Sequence, residues 1–80
     1  NNIKEDSHYL PEMLFNLSDY YLYINDNESC ENNLCKALWL AKKHKNTVVF
    51  TKILSKLLDL YAKNDQHEKI IFLIEQGSIA

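Results

Sequence analysis

The sequence predicts an all-α fold made of two stacked antiparallel helix-turn-helix hairpins, and three observations support this prediction. Apolar residues recur at steps of three and four, which is the spacing of one helix face. Short turns rich in Asn and Asp interrupt that spacing, although the chain has only one Gly and one Pro. The stretch from residue 14 to residue 37 also returns forty residues later, from 54 to 77.

The forty-residue register pairs five identical residues among 24 positions. These pairs are Leu14 with Leu54, Leu17 with Leu57, Asp19 with Asp59, Tyr21 with Tyr61 and Glu28 with Glu68. Because the matches fall mainly at apolar helical spacings and the turns coincide, we interpret the chain as a duplicated helical hairpin. Repeats of this kind act through a surface more often than through a reaction centre.

The repeat also predicts how the chain is divided. We expect residues 1–10 to be a flexible polar segment, residues 11–46 and 47–77 to be the two repeats, and residues 78–80 to be a tail. Because the chain opens on Asn1 and not on Met, we expect it to be part of a longer protein.

The first hairpin has a signal for the start of helix one, a turn and a cap for helix two. Pro11 suits the first turn of helix one, which is expected to end near Asn25 because Asn tolerates a left-handed backbone. Its predicted apolar set is Leu10, Met13, Leu14, Leu17, Tyr20, Tyr21 and Ile24. Asp26 can cap helix two, which we expect to run from about Asn27 to Lys45.

The second hairpin repeats these signals. Asn46 offers a cap for helix three, which we expect to end at Lys63 or Asn64. Residues 48–50 alone would suit a strand, but the helical spacing continues for four turns beyond them. Helix four is expected over 68–76, with Gly77 as its C-terminal cap. It is apolar nearly all round, which predicts cover on more than one side.

Composition excludes several function classes. The net charge is −2 and every basic residue is Lys, so direct nucleic-acid contact is not expected. No apolar run approaches the length of a membrane helix, so no membrane partner is expected either. Cys30 and Cys35 are about 140° apart around a helix, which predicts two free thiols. Since no secretory signal pattern opens the sequence either, we expect a reducing, cytoplasmic setting.

Catalytic and metal-binding patterns are not present in the sequence. His8, His44 and His67 are scattered, without a Cys or carboxylate at ligand spacing. A Gly-rich phosphate loop cannot form from a single Gly, and no Ser lies in a nucleophile context. We therefore expect no catalytic residue, no metal and no cofactor in this chain.

The first copy carries a further pattern: large apolar residues, a small residue and then Tyr in the first helix, with small and large residues alternating in the second. The residues that form it are Leu14, Leu17, Ser18, Tyr21, Cys30, Leu34 and Ala37. In the second copy the same places are occupied by Leu54, Leu57, Leu58, Tyr61, Ile70, Ile74 and Gly77, of which Leu58 and Ile70 are large where the pattern has a small residue. Over residues 11–77 the chain thereby resembles the tetratricopeptide repeat. The longer period is similar to that of repeats in the sensor regions of Gram-positive peptide-pheromone receptors of the Rap and PlcR-like groups.

The resemblance implies a superhelical array whose first helices line a concave, peptide-binding side. The residues that it places there are Phe15, Asp19, Leu22, Tyr23, Lys52, Ser55, Lys56, Asp59 and Lys63. Asp19 and Asp59 would lie one repeat apart, where they can accept hydrogen bonds from a peptide backbone. The alternative is that they pair with Lys56, Lys63 or water on a solvated face.

A second surface is predicted from exposed apolar residues. Trp39 lies off the apolar stripe of helix two, and Ile71 and Phe72 lie on the apolar helix four, so these three are candidate oligomer contacts.

The sequence therefore predicts a protein- or peptide-binding helical repeat module, the sensor or docking part of a larger regulatory protein. Two alternatives stay open. The chain is a structural or oligomerisation repeat that docks on another chain, including a second copy, through helix four; or it is the scaffold fragment of an enzyme whose active residues lie elsewhere.

Overall fold

The computed structural model describes residues 9–78, with side chains up to residue 75, and this part of the chain contains four α-helices and no strand. The helices are α1 (Leu10–Tyr23), α2 (Asn27–Lys43), α3 (Thr47–Lys63) and α4 (His67–Ser78). Each helix packs against its neighbour in the chain, and α1 also touches α3. The all-α prediction is confirmed, and residues 48–50 are helical as expected. Most of the predicted flexible segment (residues 1–8) and the last two residues lie outside the described residues.

Three interhelical turns have the same construction. In each, one residue adopts a positive φ: Asn25 (62°), Lys45 (57°) and Asp65 (57°). At the first turn the Asp26 N–H donates to the Tyr21 carbonyl oxygen at 2.8 Å, and the Asn25 N–H donates to that of Leu22 at 3.0 Å. This is the Schellman pattern that satisfies the last carbonyl groups of a helix. The equivalent bonds recur 20 and 40 residues later.

The residue that closes each turn also starts the next helix. The Asp26 carboxylate accepts a hydrogen bond from the Ser29 N–H at 3.1 Å, and the Asn46 amide oxygen accepts one from the Val49 N–H at 3.3 Å. Both caps are confirmed as predicted. Because one helix ends and the next begins within three residues, consecutive helices are antiparallel.

The core lies where α1 and α3 flank α2. Its fully buried apolar side chains are Cys30, Leu34, Ala37, Ala41, Ile53 and Leu57. Ser18 is also completely buried, and its hydroxyl donates to the Phe15 carbonyl oxygen at 2.5 Å. A small side chain at this position lets α1 approach α2 closely, and the local hydrogen bond satisfies its polar atom. Tyr61 is buried, whereas its counterpart Tyr21 is half-buried.

Two helix ends differ from the sequence-based expectation. Helix two ends at Lys43 and not at Lys45, because Lys45 adopts the left-handed conformation that ends a helix. Lysine has no special preference for that conformation, so the sequence did not signal it. Gly77 does not cap helix four: α4 continues through it to Ser78, so the first residue of the predicted tail is helical.

The apolar set predicted for helix one is only partly covered in the structure. Leu10, Leu14 and Tyr21 are half-buried, but Met13, Leu17, Tyr20 and Ile24 are exposed. Their spacing is helical, but no helix of the described chain covers that side of α1. Periodicity identifies an apolar stripe without identifying the neighbour that covers it.

Candidate functional site

Two surfaces carry the candidate binding residues. The first is the α1–α3 face, which we define by Glu12, Phe15, Asp19, Lys52 and Lys56. The second is the α2–α4 groove, which lies between those two helices, with α3 as its floor.

Charged groups on the α1–α3 face pair with one another. Lys56 donates to the Asp19 carboxylate, and the Lys52 ammonium lies 3.8 Å from the carboxylate of Glu12. Both ammonium groups also lie over the Phe15 ring, 5.4 Å from its centre for Lys52 and 4.5 Å for Lys56. Cations over an aromatic face are attracted to it. The Asp19 carboxylate therefore has a partner within the chain, as the alternative interpretation predicted.

The structure brings only some of the predicted concave residues together. Leu22 is half-buried against the core, and it lines a shallow polar cleft with Lys63. Tyr23, Ser55 and Asp59 are exposed, and none of their side chains makes a hydrogen bond or ion pair with another described residue. The equivalence of Asp19 and Asp59 in sequence thus does not extend to their partners. Asp19 on α1 pairs with Lys56 on α3, and no described helix lies at the corresponding place beside Asp59.

The α2–α4 groove is an open apolar cleft of about 300 Å³. Its lining residues are Cys35, Leu38, Trp39 and Lys42 from α2, Phe50 from α3, and Phe72 and Leu73 from α4. Trp39 and Phe72 are each 62% exposed, and Leu73 is buried. Two of the three predicted oligomer contacts therefore lie at one site, while Ile71 is exposed elsewhere on α4.

A basic rim borders this groove. The Lys43 ammonium lies 5.3 Å from the centre of the Trp39 ring, and Lys42 lines the groove directly. An adjoining cleft, lined by Lys42, Lys45 and Phe50 among others, extends it towards the start of α3. The acidic residues of α2 lie only in its first half, at 28 and 31, so the end of α2 is basic. This charge arises where cations complement the helix dipole.

A polar network fixes α4 against α2 and α3. The Tyr61 hydroxyl donates to the Glu31 carboxylate at 2.9 Å, and the Lys69 ammonium donates to the same oxygen at 3.1 Å. The Cys35 sulfur lies 3.8 Å from the Tyr61 hydroxyl oxygen. Burial, followed by the hydrogen bond with Glu31, raises the pKa of Tyr61 above its usual range. The network holds in place the helix that forms one wall of the groove.

The environments of the two cysteines do not activate their thiols as nucleophiles. Burial raises the pKa of the Cys30 and Cys35 thiols, which disfavours the thiolate that would react. Both cysteines are free, as predicted. Within residues 9–78, no three His, Cys, Asp or Glu side chains come together in a way that would hold a metal ion.

Sequence reasoning missed Leu38 and Phe50 as groove residues. Phe50 belongs to an apolar triplet that the sequence indicated only as part of helix three, and it is half-buried at the floor of the groove. The position of Trp39 beside the α2 stripe was the available signal, because an off-stripe aromatic residue marks the side of a helix on which a groove lies.

Comparisons with known proteins do not add a relative. No protein-family model, curated protein or solved structure matches the chain. None of the helices in the described range is both long enough and apolar enough to cross a membrane.

Proposed function

We propose that this chain is a protein-binding helical module, the docking part of a larger regulatory protein, and that its ligand is a peptide segment with apolar anchors flanked by carboxylates. The observation that carries the proposal is the pair Trp39 and Phe72, two aromatic side chains that are mostly exposed on either side of one apolar groove. Exposed aromatic residues over an apolar floor are typical anchors of protein interfaces.

The positive charge of the groove rim favours an acidic peptide. The rim of the α2–α4 groove carries Lys42 and Lys43, and Lys45 borders the adjoining cleft. A carboxylate on the ligand would be attracted to these ammonium groups, whereas a basic ligand would be repelled. The α1–α3 face supports the proposal less, because its Lys52 and Lys56 ammonium groups already interact with Glu12, Asp19 and the Phe15 ring.

Trp39 is the only tryptophan of the chain, so its fluorescence reports on the groove directly. The probe is a synthetic peptide of about 15 residues, with Leu at helical spacing on one face and Glu on the other. We expect saturable binding, with Trp39 emission moving to shorter wavelength as the peptide excludes water. A matched peptide with Lys in place of Glu should bind at least about tenfold more weakly, because it meets the basic rim.

Two variants locate the binding site. Phe72→Glu should weaken binding of the acidic peptide about tenfold, because it removes an anchor and adds a like charge. Tyr23→Glu is the matched control, since Tyr23 is an exposed aromatic residue away from the groove.

Asp19→Ala combined with Asp59→Ala tests the α1–α3 face. If that double variant abolished binding and Phe72→Glu did not, the site would be the α1–α3 face; if neither peptide moved Trp39 emission, the groove would not be a docking site.

A further inference from the structure

An apolar stripe on α1 is exposed although its counterpart on α3 is buried. The stripe consists of Met13, Leu17 and Tyr20, and the forty-residue register pairs these positions with Ile53, Leu57 and Leu60. Leu17 is 43% exposed, whereas Leu57 is 0% exposed. Because α1 leaves these positions open even with its hairpin partner α2 in place, the α3 positions must be buried by the preceding hairpin.

At the other end of the described chain, α4 also exposes apolar residues that no described helix covers. Leu34 on α2 is completely buried because α1 and α3 flank it. Its register counterpart on α4 is Ile74, which is exposed, and Ile71 on the same helix is exposed too. Of the described helices, only α3 packs on α4. The outer side of α4 therefore offers an apolar surface at the positions where α2 receives α3.

The charges at the α1–α3 contact of one chain would also match in a continued register. The Lys52 ammonium on α3 lies 3.8 Å from the Glu12 carboxylate on α1, and these two positions are forty residues apart. If a second copy continued the register, its Glu12 would meet Lys52 of the first copy, so opposite charges would face each other again. By the same shift, the pair formed by Asp19 and Lys56 becomes Asp59 of one copy with Asn16 of the next. An amide can donate a hydrogen bond to that carboxylate.

We propose that this chain associates head to tail with a second copy, the outer side of α4 in one copy packing against the Met13, Leu17 and Tyr20 stripe of the next. The two patches are different, so the contact is heterologous and leaves a free patch at each end. Association then continues beyond the dimer. The α2–α4 groove takes no part in this contact, so the proposal does not depend on the proposed function.

Sedimentation velocity and light scattering on the purified chain, from about 5 to about 500 μM, test the assembly. We expect the average mass to rise steadily with concentration and to pass that of a dimer. Leu17→Lys and Ile74→Lys each remove one patch, and each should weaken association at least about tenfold. A mixture of the two variants should form a heterodimer that does not grow, because one intact patch of each kind remains.

A second pair of variants reports on the register without altering an apolar residue. Asn16→Lys should strengthen association about two- to fivefold by pairing with Asp59, and Asn16→Asp should weaken it by a similar factor. Trp39→Ala is the control, and should leave association unchanged. Circular dichroism checks that each variant is folded.

Three results would overturn the proposal. A chain that stays monomeric throughout the concentration range does not recognise itself. A dimer that resists Leu17→Lys but is lost with Ile74→Lys is a symmetric contact through α4. Equal association of the two Asn16 variants would show that the register is not continued.

Discussion

Leu17 and Leu57 are a matched pair for measuring how much burial against a neighbouring helix contributes to the free energy of unfolding. They are the same residue at equivalent positions of α1 and α3, but Leu17 is 43% exposed and Leu57 is completely buried. Replacing Leu by Ala removes three carbon groups, which is worth about 2.4 kcal/mol for a fully buried side chain at about 0.8 kcal/mol each. A cavity left at Leu57 raises its cost to about 3–4 kcal/mol.

Leu17→Ala should cost much less. Only a little over half of that side chain is covered, and the site is open to water, so no cavity term applies. The expected loss is about 1.4 kcal/mol, which leaves a difference of about 2 kcal/mol between the two variants. A folded chain of this size has a free energy of unfolding of about 4–12 kcal/mol, so Leu57→Ala removes a large share of it.

Urea unfolding followed by circular dichroism measures both losses, at a protein concentration low enough for the chain to be monomeric. Helix propensity changes equally in the two variants and therefore cancels in the difference. If Leu17→Ala cost as much as Leu57→Ala, the α1 stripe would be covered within the single chain. Leu17 would then not be an uncovered counterpart of Leu57, and α1 would offer no free apolar surface for self-association.

Three further changes test local features of the fold. Lys45→Gly should stabilise the chain by about 1 kcal/mol in thermal unfolding, because Lys45 holds a left-handed conformation that Gly adopts without strain. A loss of stability would mean that the Lys45 side chain contributes more to stability than the backbone strain costs. Asp26→Ala should cost about 1 kcal/mol in the same assay by removing the cap on the Ser29 N–H, and no change would show that water replaces the cap. Tyr61→Phe should cost about 1 kcal/mol at neutral pH and should reduce the loss of stability above about pH 10.

The sign of that pH effect follows from the pKa of Tyr61. The folded state raises this pKa, so above about pH 10 the unfolded chain gives up the phenolic proton while the folded chain retains it. The unfolded state then binds fewer protons, and the free energy of unfolding falls as pH rises. Below pH 10 both states hold the proton, and the stability contribution is fully present. An unchanged alkaline profile in Tyr61→Phe would assign the loss to another group.

Local signals predicted the helices and most of their ends. Asn25 and Asp26 were sufficient to predict the first turn, because Asn25 tolerates a positive φ and Asp26 caps the next helix. Lys45 occupies the same conformation without any such preference, so the end of α2 was placed two residues too late. There the turn is imposed by the Schellman hydrogen bonds and by the packing of two helices, and not by the residue itself.

The candidate sites were harder to predict because they depend on neighbours. Phe15 and Leu22 were expected on an open face, but both are half-buried against the core. Met13 and Tyr20 belong to the apolar set predicted for helix one, but both are exposed. The 3.6-residue period fixes which residues share a face, whereas the number of helices on either side decides whether that face meets protein or water. A single sequence contains the first kind of information and only indirectly the second.

The two proposals lead to one combined expectation about binding strength. In the forty-residue register, the position equivalent to Phe72 is Asn32, so the aromatic pair that flanks the α2–α4 groove occurs once in the described chain. A head-to-tail assembly would therefore present one groove in each copy at regular intervals. A ligand with two acidic-apolar segments on a sufficiently long linker would bind such an assembly more tightly than a single segment, because the second contact is intramolecular. Ile74→Lys should remove this gain and leave the affinity for a single segment unchanged, since Ile74 does not line the groove.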